Sequence, residues 1–322
     1  MSTASASRAL AREGAVSADL RRRILAAAER LGYTPNLAAR SLAGRRSGLI
    51  GIMVNTLAEP LVAEVIAALE RRLAQAGFGV AIATSRDSPG ESVRAMRQLI
   101  GLGVEAVALA EPAHGAELAN VLRARGLPWV GLGDGLDRAG LVIDGGRRRG
   151  AELACRYLLS LGHCRIGVLA PTAATAAGVI DALGGSQAAA AAHGPREVRD
   201  ANAAEAAMQE LLDGDASPTA VICGNDLHGL AAVRACLRRG IVVPRAVSVI
   251  GFGDADFARR AVPALTTVRV AGAALAEQLA NGLLGYLEHG TPPPAVETPL
   301  KLILRESTAQ APDSRRPEGG FT

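Results

Sequence analysis

Two features of the sequence predict an α/β fold for most of this chain. From Leu49 onward, short apolar runs alternate with stretches of helical periodicity, and strands that are apolar throughout are typical of parallel sheets covered by helices on both faces. The 322 residues, 49% of them hydrophobic, are enough for two such sheets. We therefore predict two lobes, each with a doubly wound parallel sheet, and a ligand cleft between them at the carboxyl ends of the strands.

The strands and helices of these lobes are expected wherever the pattern is clearest. The apolar runs predict strands at residues 49–54, 80–84, 104–110, 129–132, 166–170, 220–223 and 247–251. Helical periodicity lies between them, at residues 63–76, 91–102, 148–161, 203–212 and 227–239.

The segment before Leu49 has a different pattern, which predicts short helices. Residues 2–10 are expected to form a helix that Gly14 ends. A second helix should begin after Ser17 as N-cap, with Asp19 in its first turn, and should end at Gly32, with Pro35 preventing its resumption. Its apolar stripe is expected to consist of Leu20, Ile24, Ala28 and Leu31. Residues 36–42 could form a short third helix.

This first segment is also strongly basic. Residues 1–47 contain nine arginines and three acidic residues, whereas the rest of the chain has slightly more acidic than basic residues. A basic head on a weakly acidic body indicates a polyanionic partner for the head alone. A solvated arginine-rich helix remains an alternative explanation on charge alone.

Several classes of protein are disfavoured by what the sequence lacks. Cys155, Cys164, Cys223 and Cys236 have no metal-ligand spacing and are expected to be buried thiols in a reducing compartment. We find no signal peptide and no apolar run of membrane-spanning length, which predicts a cytoplasmic protein without a membrane partner. No nucleophile elbow, phosphate-binding loop or metal cluster is evident, so we expect neither an enzyme nor a cofactor. Residues 312–322 are expected to be disordered.

The head and hinge motifs resemble those of the lac/galactose repressor family of bacterial transcription regulators. Residues 26–36 read AAAERLGYTPN and residues 38–47 read AARSLAGRRS, which are similar to the family's last head helix and its hinge. STASASRAL at 2–10 is similar to its recognition helix, with Ser7 and Arg8 in the expected places. In the core, LSLGHCRIGVL (159–169), residues 219–258, PALTTVRV (263–270) and LRES (304–307) match further landmarks.

The resemblance implies a set of DNA-binding residues in the head and hinge. Arg8, Thr3 and Ala4 would face base edges in the major groove, where arginine can bind guanine through two hydrogen bonds. Leu42 would insert into the minor groove, and the small side chain of Ala39 would permit close approach. The remaining members of the set, which position the protein on the duplex or bind its backbone, are Ser5, Ser7, Asn36, Arg40, Arg45 and Arg46.

The head departs from the family pattern at its start. The first helix of the family's helix-turn-helix has no counterpart before residue 2, and Met1 stands where the family usually has the valine that opens the recognition helix. An isolated short helix is marginally stable in water. We therefore expect this head to be poorly ordered without DNA and weak on DNA. Either the true start lies upstream, or the head is truly truncated.

The resemblance also divides the chain into domains around a periplasmic-binding-protein-like core. A partial helix-turn-helix head would occupy residues 1–35 and a hinge helix residues 36–47. Within the core at 48–311, the N-terminal lobe would comprise 48–147 and 271–298. The C-terminal lobe would comprise 148–270 and 299–311.

The effector-binding residues implied by the resemblance are Leu61, Asp181, Asn225, Asp226 and Asp254. Asn225 and Asp226 have an alternative role, since both could cap the helix that follows them. Gly253 replaces a family aspartate, and Gly145–Gly146–Arg147 replaces the usual Asp-Asn. Since few directional polar groups are kept, either the effector is not a typical sugar or effector control has weakened. His163 is expected to be a structural turn residue.

These observations predict a homodimeric, sequence-specific DNA-binding regulator, most simply a repressor. Its partners would be a near-palindromic double-stranded DNA operator and a small-molecule effector, with a sugar as one candidate. Effector closure would rotate the lobes and separate the paired hinge helices. The alternatives are a cytoplasmic ligand-binding sensor with impaired DNA binding, a periplasmic sugar-binding protein and an enzyme of doubly wound fold.

Overall fold

A computed structural model describes most of the chain beyond the head. It covers residues 17–32, 46–85, 89–110, 115–133, 141–170, 173–183, 195–214 and 217–312. The helix expected at 2–10, the hinge helix expected at 36–42 and most of the tail expected at 312–322 lie outside these residues. They stay predictions.

The described part of the head is a single helix, α1 (Ala18–Arg30). Its N-cap is the expected residue, since the Ser17 hydroxyl accepts a hydrogen bond from the Leu20 amide at 3.4 Å. Gly32 follows the helix at φ 61°, a left-handed conformation that favours glycine. The expected apolar stripe is only partly right, because Ile24 is buried but Leu31 is 76% exposed.

The first sheet has five parallel strands in the order β2–β1–β3–β4–β5. Three helices lie between its strands along the chain, and a fourth returns to this lobe from the far end of the sequence. The strands are β1 (Leu49–Val54), β2 (Gly79–Thr84), β3 (Ala106–Ala110), β4 (Trp129–Leu132) and β5 (Leu141–Ile143), and the first three helices are α2 (Pro60–Gln75), α3 (Pro89–Gly101) and α4 (Gly115–Arg125).

The second sheet has six strands in the order β11–β10–β9–β8–β6–β7. It is parallel except at one edge, where β11 runs antiparallel to β10, so the expectation of a wholly parallel sheet is wrong there. The elements are α5 (Arg147–Ser160), β6 (Ile166–Ala170), α6 (Ala173–Ala182), β7 (Arg196–Glu197), α7 (Ala201–Asp213), β8 (Ala220–Cys223), α8 (Asp226–Arg238), β9 (Ser248–Phe252), β10 (Thr266–Val270) and β11 (Leu300–Ile303).

Several elements were not predicted from the sequence pattern, namely strands β5, β7, β10 and β11 and helices α4, α6 and α9 (Gly272–His289). Strands β5 and β7 have three and two residues, too few for a periodicity to emerge. Strand β11 is partly exposed along its length because it lies at the edge of the sheet. The long helix α9 packs on α2 in the first lobe.

The chain passes between the two lobes three times, and one arginine ties two of the passages together. They lie between β5 and α5, between β10 and α9, and between α9 and β11. Arg149 Nε donates to Asp144 Oδ2 at 3.0 Å, and Arg149 Nη2 donates to the Thr298 carbonyl at 2.7 Å. The buried Thr298 hydroxyl also donates to the Asp144 carbonyl at 3.0 Å. Side-chain hydrogen bonds therefore hold the first and third passages between the lobes together.

Three of the four cysteines and the turn residue His163 lie in the protein interior. Cys155, Cys223 and Cys236 are buried, whereas Cys164 is exposed, contrary to the expectation for all four. Burial raises the pKa of the Cys155 and Cys236 thiols to about 11, which keeps both protonated. His163 is fully buried, with Nδ1 3.0 Å from the Thr219 hydroxyl and Nε2 3.0 Å from the Ala309 carbonyl.

Two kinds of feature are absent from the described residues. Of the helices that the structure describes, none combines the length and the apolar character needed to span a bilayer. The same part of the chain contains no cluster of three or more histidine, cysteine or acidic side chains suited to a metal ion.

Candidate effector cleft

The cleft between the lobes is lined by loops that follow the carboxyl ends of strands in both sheets. In the first lobe, Glu59 ends the loop after β1, and Leu61 lies in the first turn of α2, which follows that loop. The loops after β8 and β9 carry Asn225 and Gly253 in the second lobe. The two lobes meet here, since a Cβ placed on Gly253 would lie 3.7 Å from the Leu61 Cβ. This is the position at which open α/β sheets bind ligands.

Arg147, the first residue of α5, links the two faces of the cleft. Its Nη1 donates to the Gly224 carbonyl at 2.8 Å in the second lobe, and its Nη2 lies 3.2 Å from Glu59 Oε1 in the first lobe. Only 15% of the Arg147 side chain and 11% of the Glu59 side chain are exposed. The guanidinium also lies over the Phe252 ring, 5.4 Å from its centroid, within the range of a cation–π contact.

Asn225 and His228 form a second group beside Arg147. Asn225 Oδ1 caps α8 by accepting from the His228 amide at 2.8 Å, which is the structural role that the sequence left open. The amide nitrogen of the Asn225 side chain lies 3.4 Å from His228 Nε2. Burial and the nearby positive charge of Arg147 lower the pKa of His228 to about 4. His228 Nδ1 is buried and has no hydrogen-bond partner among the described residues.

Asp226 is bonded within its own lobe. Its Oδ1 accepts from the Thr267 hydroxyl at 2.5 Å and its Oδ2 accepts from the Ala255 amide at 2.6 Å. The residue is 2% exposed, and burial raises the pKa of its carboxyl group. These contacts join the start of α8 to β10 and to the turn after β9.

Asp254 is also committed to internal partners. It adopts φ 57°, and its carboxylate, 7% exposed, is bonded to Arg269 through Oδ2 and to Arg305 through Oδ1. Arg305 Nη1 also donates to the Leu265 carbonyl at 2.7 Å. Both oxygens therefore bind arginines that connect β10 with the segment after β11.

Asp181 lies on α6 and pairs with the arginine next to Arg147. Arg148 Nε and Nη2 donate to its two carboxylate oxygens at 2.6 and 3.0 Å. These hydrogen bonds lower the pKa of Asp181. Both side chains are partly exposed, 56% for Arg148 and 36% for Asp181. The three consecutive arginines of α5 thus pair with four different acidic residues, since Arg149 pairs with Glu297 as well as Asp144.

The structure brings four of the five predicted effector residues to the cleft loops or directly beside them, but most of their polar atoms are engaged. The sequence analysis noted Arg147 only as a departure from the family pattern, and it missed Glu59 and His228 as site residues. The available signal was the run of three arginines directly after two glycines, at a lobe crossing. Such a run places several charges on the first turn of one helix, where each needs its own acidic partner.

Among the predicted DNA-binding residues, only Arg46 is described, at the junction of head and core. Its Nη2 donates to the Leu287 carbonyl at 3.4 Å, its Nε lies 3.9 Å from Glu105 Oε2, and the side chain remains 70% exposed. Ser47 donates to the Gly103 carbonyl at 2.7 Å, and the Gly48 amide donates to Glu105 Oε1 at 2.7 Å. The junction is therefore fastened to the first lobe. The other residues of the set lie outside the described part of the chain.

Comparison with known proteins identifies the family. A family model described as a periplasmic binding protein-like domain matches residues 155–308. The HTH-type transcriptional regulator MalR of Streptomyces coelicolor is 30% identical over 335 residues, which cover 98% of this chain and 95% of MalR. The HTH-type transcriptional repressor PurR of Escherichia coli is 30% identical over 98% of this chain and 96% of PurR. This chain belongs to the lac/galactose repressor family of transcription regulators.

Solved structures of the family have the same architecture. The lac repressor dimer bound to operator and the anti-inducer ONPF has a TM-score of 0.77 at 25% identity, with 96% of each chain covered. The complex of the transcriptional regulator CelR with cellobiose has a TM-score of 0.70 at 28% identity, with 94% of each chain covered. The predicted fold class is confirmed, and so is the family to which the sequence motifs pointed.

Proposed function

We propose that this protein is a homodimeric transcription repressor that binds a near-palindromic operator and is controlled by a small molecule in the cleft. The observation that carries the proposal is the 98% coverage of the chain by known transcription regulators, which takes in the basic head as well as the core. The repressor assignment follows the name of PurR, and the absence of enzymatic activity follows the shared identity of the relatives as regulators. A cytoplasmic location is part of the proposal because the operator is there.

The junction between head and core supports a mechanical link between the cleft and the DNA. Ser47 and Gly48 are anchored to the first lobe through Gly103 and Glu105, directly after the basic hinge. A rotation of the first lobe therefore moves the point from which the hinge leaves the core. In two protomers this motion would change the separation of the paired hinges, which is how a ligand in the cleft would alter operator affinity.

Exposed apolar side chains support dimerisation through both lobes. Ile82 is 45% exposed on β2, the edge strand of the first sheet, and Leu57 is 51% exposed in the loop after β1. In the second lobe, Leu237 is 73% exposed and Val262 is 91% exposed. Large apolar residues at an open sheet edge favour pairing with another chain. A twofold dimer would present two heads to two half-sites.

The experiment is a selection of DNA by the purified full chain. Fragmented genomic DNA from the source organism is passed over the protein, retained fragments are sequenced, and the affinity for the recovered site is measured by fluorescence anisotropy against a scrambled duplex. We expect a preference of at least about a thousandfold for the selected site at physiological salt. Steep salt dependence without sequence preference would contradict the proposal and favour the ligand sensor with impaired DNA binding.

Two head variants then test the expected DNA contacts. Arg8→Ala should relax discrimination at one base position in each half-site, at a cost of about tenfold to a hundredfold in specific affinity. Leu42→Ala should reduce affinity and DNA bending together. Arg199→Ala is the matched control, since it removes one exposed arginine from the second lobe. Equal effects of Arg8→Ala and Arg199→Ala on sequence preference would contradict the assignment of Arg8.

A further inference from the structure

The cleft contains an ion pair that joins the two lobes directly. Arg147 belongs to the second lobe and Glu59 to the first, and their Nη2 and Oε1 atoms are 3.2 Å apart. The exposed fractions of 15% and 11% make this pair far more buried than the neighbouring pair of Arg148 and Asp181, at 56% and 36%. A buried pair is little screened by salt or water, unlike an exposed one.

Further contacts hold Arg147 in its place between the lobes. The Gly224 carbonyl accepts from Nη1 at 2.8 Å and the Phe252 ring lies beneath the guanidinium, so the second lobe fixes the side chain while the charge faces Glu59. Leu61, two residues after Glu59 in the first turn of α2, lies opposite the turn at Gly253, since a Cβ added to that glycine would be 3.7 Å from the Leu61 Cβ. The end of the loop after β1 is thus tied to the second lobe by an ionic contact, and the apolar start of α2 lies close to that lobe.

We propose that the Arg147–Glu59 pair holds the cleft closed before any ligand binds, and that the ligand carries a carboxylate or phosphate group that takes the place of Glu59 on Arg147. This inference rests on the ligand-controlled function proposed above and names the chemical class of the ligand. The planar guanidinium matches the oxygens of a carboxylate or phosphate in geometry and charge. A neutral ligand that displaced Glu59 would break an ion pair without forming another.

The tautomer of His228 gives a second, independent reason for a ligand rich in acceptor oxygens. Since Asn225 Oδ1 accepts from the His228 amide, the other side-chain atom of Asn225 is the NH₂ group, which can only donate to His228 Nε2. The imidazole proton then lies on Nδ1, the buried atom that has no partner among the described residues. This buried N–H donor, close enough to Arg147 for its charge to act on the imidazole, therefore has no acceptor among the described residues, and an anionic oxygen would supply one.

The first test measures closure of the cleft by small-angle X-ray scattering of the full chain without ligand. Glu59→Gln keeps the shape of the side chain but removes its charge. Glu152→Gln is the matched control, since Glu152 pairs with Arg156 on the surface of α5 and both residues belong to the second lobe. We expect a larger radius of gyration for Glu59→Gln, at an unchanged oligomer mass, and an unchanged radius for Glu152→Gln. Equal radii for all three proteins would overturn the proposal.

The second test measures ligand class by calorimetry at constant ionic strength, with gluconate against sorbitol and glucose 6-phosphate against glucose. In Glu59→Gln, where the competing carboxylate is absent, gluconate or glucose 6-phosphate should bind about tenfold more tightly than to the wild type. The affinities for sorbitol and glucose should change by less than about twofold. Arg147→Gln should lose the anion binding.

The outcomes separate this inference from the function on which it rests. Tighter binding of sorbitol or glucose than of the matched anion would overturn the inference, as would the absence of anion binding in Glu59→Gln. If the neutral sugar nevertheless changes operator affinity, the proposed regulator function stands without the anionic ligand. If no operator is found by the DNA selection while Glu59→Gln binds the anion, the anionic ligand stands and the proposed regulator function fails.

Discussion

The two lobes meet at one cleft with opposite kinds of surface. The second lobe contributes Asn225, Asp226 and Asp254, a set of polar side chains whose oxygen atoms are bonded to partners of the same lobe. Of its described residues, the first lobe contributes the apolar Leu61 and an acid, Glu59, whose carboxylate reaches across to Arg147. A polar residue at a strand end is therefore not automatically free to bind a ligand. These three polar groups stabilise the second lobe itself, whereas the carboxylate of Glu59 contacts the opposite lobe.

The largest effect expected from this difference is on folding stability. Asp254→Ala leaves the largely buried guanidinium of Arg305 without its carboxylate, so the free energy of unfolding should fall by about 3 to 5 kcal/mol. Asp256→Ala is the control, because Asp256 also pairs with two arginines but is 54% exposed, and it should cost less than about 1 kcal/mol. Urea denaturation measures both, and equal losses would contradict a structural role for Asp254.

The next effect concerns the pH dependence of stability and depends on His228. Its folded pKa of about 4 lies below the usual 6.5, so the unfolded chain binds a proton between these values that the folded chain does not. Stability contributed by this group is complete above pH 6.5 and is lost as the pH falls toward 4, by about 3 kcal/mol in all. His228→Gln should flatten that slope in urea titrations. An unchanged slope would contradict burial of a neutral imidazole beside Arg147.

A smaller effect is expected from the bond between Thr267 and Asp226. Thr267→Val removes a hydroxyl donor from a buried carboxylate and should lower stability by about 1 to 3 kcal/mol near neutral pH. Because burial already raises the pKa of Asp226 and the hydroxyl favours its ionised form, the loss should shrink as the pH falls and the carboxyl group becomes protonated. Chemical denaturation at pH 8 and pH 4 distinguishes this behaviour from a loss that does not depend on pH.

The smallest effect is expected in the first lobe. Leu61→Ala removes the outer part of a half-buried apolar side chain that packs against the core, and it should lower stability by only about 1 kcal/mol. Urea denaturation measures this loss. A loss as large as that of Asp254→Ala would remove the contrast between the two faces.

The fold could be predicted from the sequence because its longer strands are continuous apolar runs. Leu49–Val54 and Ile166–Ala170 are buried along almost their whole length, which gives a signal independent of the rest of the chain. Short strands such as Leu141–Ile143 give no such signal, since pairing with a neighbouring strand and not local pattern makes them strands. The antiparallel edge at β11 depends on how the chain returns from the first lobe, which local pattern does not encode.

The candidate site could be predicted in its position but not in the roles of its residues. The Asn225–Asp226 pair marked the correct strand end, yet only the packing against Thr267 and Ala255 reveals that Asp226 is engaged within its lobe. The Arg147–Glu59 pair joins residues 88 positions apart, so no spacing in the sequence announces it. The three-arginine run was visible, but the partner of each arginine is set by tertiary structure.

The most direct test of the whole account measures operator affinity for three proteins side by side. Wild type, Glu59→Gln and Glu152→Gln are titrated onto the selected operator by fluorescence anisotropy, without ligand and at one salt concentration. If closure of the cleft controls the head, Glu59→Gln should differ from the wild type by at least about fivefold, the lower end of typical allosteric coupling, while Glu152→Gln matches the wild type. Equal affinities for all three would contradict the claim that the contact between the lobes governs DNA binding.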